Sequence, residues 1–594
     1  MNFRSNRGNN NRGNGAPRVA RSRYDVRKRL MIVGGLLGLS SFALLAFAVD
    51  RQIIHSDFYR KEGNERYQRD VEIPTNRGMI TDRHGEPLAV STPVMSLWVN
   101  PQDIANNPRE IDRLADALQY PRAEMARMIS EKSKKEFLWL RRRINPAAAQ
   151  KVLALRIPGV YGQREFKRFY PQGEAIAHVL GFTNIDDHGQ EGMELAFDEW
   201  LSGKPGKQRV LRDRRGRAVE SVDLLKAAEP GKDLALSIDR RIQYLTYREL
   251  NKAVEESGAI SGTAVVLDIR TGEVLAMANV PSFNPNAVSG SKQDAHRNRA
   301  VTDLFEPGST IKPLTVAAAL EAGKITPNTL WNTSPGWIAN GRYQTKDTHN
   351  YGTLTTTGLI TKSSNVGMSL VVRRLSDRQF YDFIRKMGYG QRTNSGFPGE
   401  GAGILADPSR WDGTQKQTMS YGYSLSVTPL QVARAYATLA NNGTAHTPTF
   451  LKGGSDEGKE VLSPKVAHEV MKMMQTVTEP GGTATQASIL GYHVAGKTGT
   501  ARIASGGGYS RRYFAFFAGV APVDNPRFSM VVVLNSPDAS KKGYYGGTVS
   551  APVFRNVIEG ALRLDDVPPD DLQSWLAANS KTKAPAAAAK VVTP

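Results

Sequence analysis

Leu30 to Val49 (LMIVGGLLGLSSFALLAFAV) is an apolar run of 20 residues without a charge. At about 1.5 Å per helical residue it spans roughly 30 Å, the thickness of a bilayer's hydrocarbon core. Beyond it, residues 51–230 are charged, Arg-rich and broken into short segments, with an extended Asp70–Pro74 and a helical 108–134. From about residue 233 the pattern tightens. Leu234–Ile238 alternates as a strand does, and Arg240–Ala253 carries apolar residues at helical spacing. Thr263–Ile269, the turn Arg270-Thr271-Gly272 and Glu273–Met277 spell a hairpin. Tyr492–Ala501, Phe514–Val520 and Phe528–Leu534 read as three further strands, with helices and loops over 305–480. The pattern predicts an α+β fold, a five-stranded antiparallel sheet split in sequence by a helical insertion.

Charge and composition refine this picture. The chain is 594 residues long, enough for two or three folded units, and its net charge is +21. The first 29 residues hold nine Lys/Arg against Asp25 alone, so +8 of that surplus sits in one tail. No zinc-finger spacing or basic-helix pattern accompanies the rest, which argues for a basic surface near anionic lipid or wall polymer and against nucleic acid. By the positive-inside rule, that tail stays in the cytoplasm and everything after Val49 is exported. Ala46-Phe47-Ala48 resembles a signal-peptidase site, but the long apolar run and long basic tail favour an uncleaved anchor. The absence of cysteine excludes thiolate metal sites and cysteine nucleophiles, and no metal-ligand spacing appears, so neither metal nor cofactor is expected. Five regions follow: a basic tail at 1–29, the membrane helix at 30–49, a first exported domain at 50–232, a second at 233–575, and a disordered tail at 576–594.

The chemistry begins at Ser309-Thr310-Ile311-Lys312. Serine and lysine at i and i+3 share one helix face, and a buried lysine can take a hydroxyl proton because desolvation lowers its pKa. The first helical turn also offers free N–H groups to an oxyanion. Alone, such a motif carries little weight. Two more follow in order: Ser363-Ser364-Asn365 in a polar turn between helices, and Lys497-Thr498-Gly499-Thr500 on a strand. Together they form the acyl-enzyme trio of serine β-lactamases and penicillin-binding proteins. Ser363 can relay a proton to the leaving amine, and Asn365 can hold the lysine and the substrate amide. Lys497 supplies positive charge, Thr498 and Thr500 bind a carboxylate, and Gly499 admits the substrate backbone. Arg502 and Tyr423 are further candidates for substrate contact, and Tyr544-Tyr545 for the cleft wall. His349 is set aside as a base because Lys312 fills that role.

The chain resembles a class B penicillin-binding protein from the anchor to about residue 560. Arg77–Gly85, Arg168-Phe169-Tyr170-Pro171 and Gly189–Glu194 carry the resemblance in the first domain. Glu306-Pro307-Gly308-Ser309, Lys362–Gly367 and Tyr544–Gly547 make it most similar to the division-specific, FtsI-type branch, with the elongation-specific branch as alternative. The resemblance implies an elongated pedestal domain of the dimerisation type at 50–232 and a penicillin-binding, serine β-lactamase-like transpeptidase domain at 233–575. It implies attack by Ser309 on the D-Ala-D-Ala end of a peptidoglycan stem peptide, crosslinking at the septum, and β-lactams as acylating mimics. A β-lactamase or DD-carboxypeptidase shares this machinery. It further implies a bacterial inner membrane location with a periplasmic catalytic domain. Expected partners are a polytopic SEDS glycosyltransferase (FtsW-like) and other division-site membrane proteins, with Gly34, Gly35 and Gly38 allowing close helix approach.

Overall fold

A computed structural model describes residues 26–59, 61, 68–212, 218–341, 343–506 and 508–582. The tail expected before residue 26 and the last residues from 583 lie outside them.

The contacts divide the chain into two units. The smaller holds helix α1 (Val26–Val49), which continues as a wider π turn through Asp50–Ile54. The whole span is long and apolar enough to cross a membrane, and its apolar side chains are exposed. The same unit holds most of a three-stranded sheet built from Gln68–Ile73, Gly206–Arg212 and Ala218–Lys226.

The larger unit begins with a sheet of β1 (Ile80–Thr81), β2 (Pro87–Val99), β3 (Leu138–Ile144), β4 (Val160–Phe169) and β5 (Leu234–Ala235). Long β2 pairs antiparallel with β3, β4 and β1, while β5 runs parallel to β1. Leu97 and Val99 of β2 pack with Ile111, Leu114, Met125 and Ile129 into a separate small core. The helix expected over 108–134 is two, Pro108–Leu118 and Arg122–Glu131. Gln119 turns left-handed at φ 53°, and Pro121 then cannot continue a helical hydrogen-bond ladder. Glu194, fully buried, bridges Arg77 and Arg168 at 2.6 Å each. These are the residues that carried the first-domain resemblance, and they brace the chain here.

The second sheet is the expected one. Helix α2 (Arg240–Ser257), capped by the Asp239 carboxylate accepting from Arg241 N at 2.8 Å, leads into β6 (Ser261–Asp268) and β7 (Val274–Val280). The sheet closes with β8 (Ala495–Ser505), β9 (Gly508–Ala521) and β10 (Phe528–Asn535) in the order β7-β6-β10-β9-β8, every pair antiparallel. Every residue of β6 and β7 is buried, which explains their near-continuous apolar sequence: helices cover both faces. Each such Val, Leu or Met side chain contributes about 1.5–3 kcal/mol on burial. The expected strand at 234–238 is shorter, because after Ala235 the chain leaves β1 and Leu236 bridges to Leu451 instead. At the other end helix Leu572–Thr582 runs past residue 576, where a tail was expected, with Trp575 N bonded to Asp571 O.

Candidate active site

Strand β8 is last in the order, so one of its edges faces the helical insertion. Beside it the chain enters a single tight 3-10 turn, Gly308–Ile311, before helix α3 (Lys312–Glu321). Pro313 in the first turn suits a helix start, because its missing N–H has no partner there in any case. Thr310 O accepts from Tyr436 Oη at 2.9 Å, which ties the turn to the core. Residues 310–320 are buried and Ser309 is half-exposed, so the turn presents one hydroxyl to the cleft.

Lys312 makes no hydrogen bond to that hydroxyl. Its ammonium, 1% exposed, contacts Ser363 O at 2.6 Å, Ser363 Oγ at 3.1 Å and Asn365 Oδ1 at 2.7 Å. Among the described residues none is hydrogen-bonded to Ser309 Oγ. Lys497 is 0% exposed and donates to Ser363 Oγ at 2.9 Å from the opposite side. Two buried lysines thus converge on one serine hydroxyl. Burial drives the Lys312 pKa well below the ordinary range, the like charge of Lys497 lowers it further, and Asp347 opposes both. Burial brings Lys497 down to about 7. The positive charge expected of Lys497 thus falls to a group whose pKa burial lowers.

Backbone geometry explains why Ser363 can serve both lysines. Helix α4 (Thr356–Lys362) ends on Ser363 in the left-handed region at φ 59°, and Ser364 caps helix α5 (Asn365–Val372) by accepting from Gly367 N at 2.8 Å. The kink projects Ser363 and Asn365 toward the lysines. Asp347 secures it from outside the motif. Its carboxylate accepts from Asn365 N at 2.5 Å, Val366 N at 3.0 Å and Ser364 Oγ at 2.5 Å, while Lys346 O accepts from Asn365 Nδ2 at 2.9 Å. Sequence reasoning missed Asp347, although its neighbour His349 was weighed; nothing in the spacing links residue 347 to 364.

On β8, Thr498 Oγ1 lies 2.9 Å from Thr483 Oγ1 and 3.4 Å from Lys497 Nζ, and Thr500 Oγ1 accepts from Gly546 N at 3.3 Å. Gly499 has a reason beyond the one expected: a Cβ there would stand 1.7 Å from Cε2 of Phe516 on β9. The guanidinium of Arg502 lies 6.0 Å from the Tyr513 ring centroid, and Tyr513 stacks on Tyr544 at 4.3 Å, which meets Tyr545 at 4.6 Å. Tyr513 is a second residue missed by sequence. Tyr423 belongs to another cluster, with Tyr421 at 6.0 Å and Tyr509 at 5.5 Å. His349 packs edge-on against Tyr351.

The trio, the half-buried Ser309 and the N–H groups of the first helical turn fit nucleophilic acyl transfer. Elsewhere His493, Asp524 and Asp570 bring three ligand atoms within 4.8 Å of one another. Asp570 already accepts from His493 N, Val523 N and Asp524 N, so this cluster acts as a clamp between loops.

Comparison with known proteins agrees with this geometry. Residues 262–559 match the penicillin-binding protein transpeptidase domain and residues 72–236 the penicillin-binding protein dimerisation domain. The chain is 43% identical over 551 residues to peptidoglycan D,D-transpeptidase FtsI of Escherichia coli (strain K12), covering 92% of this chain and 93% of that one. It is similar to the crystallised TP domain of Burkholderia pseudomallei penicillin-binding protein 3, with a TM-score of 0.52 and 40% identity over 56% of this chain and 97% of that one. Penicillin-binding protein 3 from Mycobacterium tuberculosis, complexed with aztreonam, aligns with a TM-score of 0.65 and 29% identity over 84% of this chain and 98% of that one.

Proposed function

The chain belongs to the penicillin-binding protein transpeptidases, and we propose that it crosslinks peptidoglycan stem peptides through an acyl-enzyme on Ser309. The observation that carries the assignment of roles is the Ser363 hydroxyl held between Lys312 and Lys497. Lys312, whose pKa burial and the like charge of Lys497 push well below the ordinary range, receives the Ser309 Oγ proton. Ser309 Oγ bonds to the penultimate D-Ala carbonyl carbon, and the oxyanion rests on the N–H groups of Ser309 and Thr500. The C–N bond breaks as the proton passes from Lys312 through Ser363 Oγ to the departing amine of D-Ala. The acceptor amine then attacks the ester carbonyl carbon and loses its proton by the same route, the C–O bond to Ser309 breaks as Oγ takes the proton back, and the new amide is the crosslink. Thr498, Thr500, Lys497 and Arg502 hold the terminal carboxylate, Asn365 the substrate amide, and Gly499 keeps β8 flat beneath it. Tyr423 borders the cleft.

β-Lactams acylate the same serine, because their strained amide and carboxylate copy those of D-Ala-D-Ala. The related protein from Mycobacterium tuberculosis was crystallised with such a compound, aztreonam. The division-specific assignment rests on the FtsI-type match along 92% of the chain. The protein is membrane-anchored by its N-terminal helix. The finer topology, basic tail in the cytoplasm and catalytic domain in the periplasm, follows from the charge asymmetry around residues 30–49. We place the domain borders at 49/50 and 232/233, and the start of the C-terminal tail beyond the helix that ends at Thr582. A SEDS glycosyltransferase would meet the helix at Gly34, Gly35 and Gly38, where a side chain would find nothing of this chain within 4 Å.

Labelling with a fluorescent penicillin tests the reading. A persistent adduct mapped to the Ser309 peptide, absent from Ser309→Ala, supports it. Rapid release of the adduct would indicate a β-lactamase. Release of D-Ala from a stem peptide with no crosslink when an acceptor amine is present would indicate a carboxypeptidase.

A further inference from the structure

Strand β9 is 14 residues long, yet β10 pairs with it only from Phe514 onward. Residues 508–513 have β8 as their only strand neighbour, and the β8–β9 register itself slips between Arg502 and Ala504. From Arg502 outward the hairpin is therefore a two-stranded arm standing beyond the sheet, and an isolated pair of strands is marginally stable in water.

The tip of this arm is tied down at Tyr509. Tyr509, opposite Ala504, donates from Oη to Glu306 Oε1 at 3.2 Å. Glu306 lies three residues before Ser309 and belongs to the segment that enters its turn. The same Oε1 accepts from Ser424 N at 2.9 Å, and Tyr423 meets the Tyr509 ring edge-on. Ser424 is itself locked to the turn through its neighbour. Gly308 N donates to Gly422 O at 3.0 Å, and Gly422, at φ 98°, leaves no space for a Cβ, which would meet Gly308 O at 2.0 Å. Glu306 is thus the point where the Ser309 turn, the Tyr421–Ser424 loop and the hairpin arm join. Its other oxygen, Oε2, is buried and has no hydrogen-bond partner among the described residues. An apolar residue would fill this space without the penalty of a half-satisfied carboxylate, so filling space does not account for Glu306.

We propose that Glu306 and Tyr509 are positioning residues that latch the hairpin arm onto the Ser309 turn and so set the width of the slot between Ser309 and β8. The inference rests on the acyl-transfer reading of Ser309. Neither residue touches substrate. With the latch closed, Thr500 N–H and Ser309 N–H stand at a fixed separation before the substrate arrives, which preorganises the oxyanion site. With it open, the arm swings on the Arg502–Ala504 irregularity and the slot widens.

The test uses the detergent-solubilised full chain as wild type, Glu306→Ala, Tyr509→Phe and the double variant, with a fluorescent penicillin. Affinity and the acylation rate constant are measured separately, alongside thermal midpoint and the rate of trypsin cleavage after the exposed Arg511 and Arg512. Each single variant is expected to acylate about tenfold more slowly, the scale of one lost hydrogen bond to a charged group. Trypsin should cut the arm faster while the thermal midpoint holds, and the double variant should be no slower than the worse single. Unchanged acylation in both singles overturns the latch. So does a double effect equal to the product of the singles, or a rate loss matched by a fall in thermal midpoint. If the wild-type adduct maps away from Ser309, the acyl-transfer reading fails instead.

Discussion

Lys497 Nζ lies 2.9 Å from Ser363 Oγ, the hydroxyl that Lys312 Nζ approaches to 3.1 Å from the other side. Both lysines lose charge readily for the same reason: each is removed from water, and at least one sits beside a like charge. Burial thus weakens the hold of both lysines on their protons beside the hydroxyl they share.

The pH dependence of this pair has a definite sign. The Lys497 pKa falls from the ordinary 10.5 to about 7 on folding, so between those values the folded chain binds fewer protons than the unfolded one. Stability then rises with pH across that window, by about 1.4 kcal/mol per unit, and the penalty is complete below pH 7. Thermal midpoints from pH 6 to 10 should climb in the wild type and stay flatter in Lys497→Met. Penicillin affinity should weaken above pH 7, as Lys497 loses the charge that holds the carboxylate. Flat midpoints in the wild type would rule out a depressed Lys497.

Removing the shared hydroxyl isolates the relay. Ser363→Ala keeps the left-handed turn and the Asp347 contacts, which involve Ser364, Asn365 and Val366. Loss of one proton-transfer group should slow acylation by about 10²- to 10⁴-fold. The label should still map to Ser309. A rate within threefold of wild type would remove Ser363 from the proton path.

Gly499 is argued from space. Adding one methyl places carbon 1.7 Å from the Phe516 ring, and both side chains lie within paired strands that cannot part without breaking the ladder. Gly499→Ala should abolish labelling through displacement of β8. Phe516→Leu in the same chain should restore part of it, because the ring edge is gone. No rescue would mean that the substrate, and not Phe516, requires the glycine.

What the sequence disclosed and what it hid divide along physical lines. Ser309, Lys312, Ser363, Asn365 and Lys497 were legible because local spacing fixes their relation within each motif, and helix or strand type follows from periodicity. The sheet was legible because β6, β7 and β10 need apolar residues on both faces. The hydrogen-bond partners of the Lys312 ammonium were not legible, since i and i+3 spacing suggested Ser309, whereas its hydrogen bonds go to Ser363 and Asn365. The two-stranded hairpin arm was hidden for a related reason: strand composition continues past the point where β10 stops. Asp347 and Glu306 act through contacts made 17 and 118 residues away, which no local pattern encodes.

Asp347 makes the strongest case for such a hidden residue. Its carboxylate receives three donors from one turn, including the first two N–H groups of α5, where a negative charge also opposes the helix dipole favourably. It faces Lys312 electrostatically as well and raises its pKa. Asp347→Asn keeps the size of the side chain and one carbonyl acceptor but loses the charge and leaves Ser364 Oγ or a backbone N–H poorly paired. That should destabilise the fold by about 1–3 kcal/mol. Without the opposing carboxylate, Lys312 should deprotonate at lower pH, so the acidic limb of the acylation profile should move toward acid. A purely structural residue would lower the thermal midpoint and leave that limb in place; the profile of acylation against pH, measured on the folded fraction, separates the two.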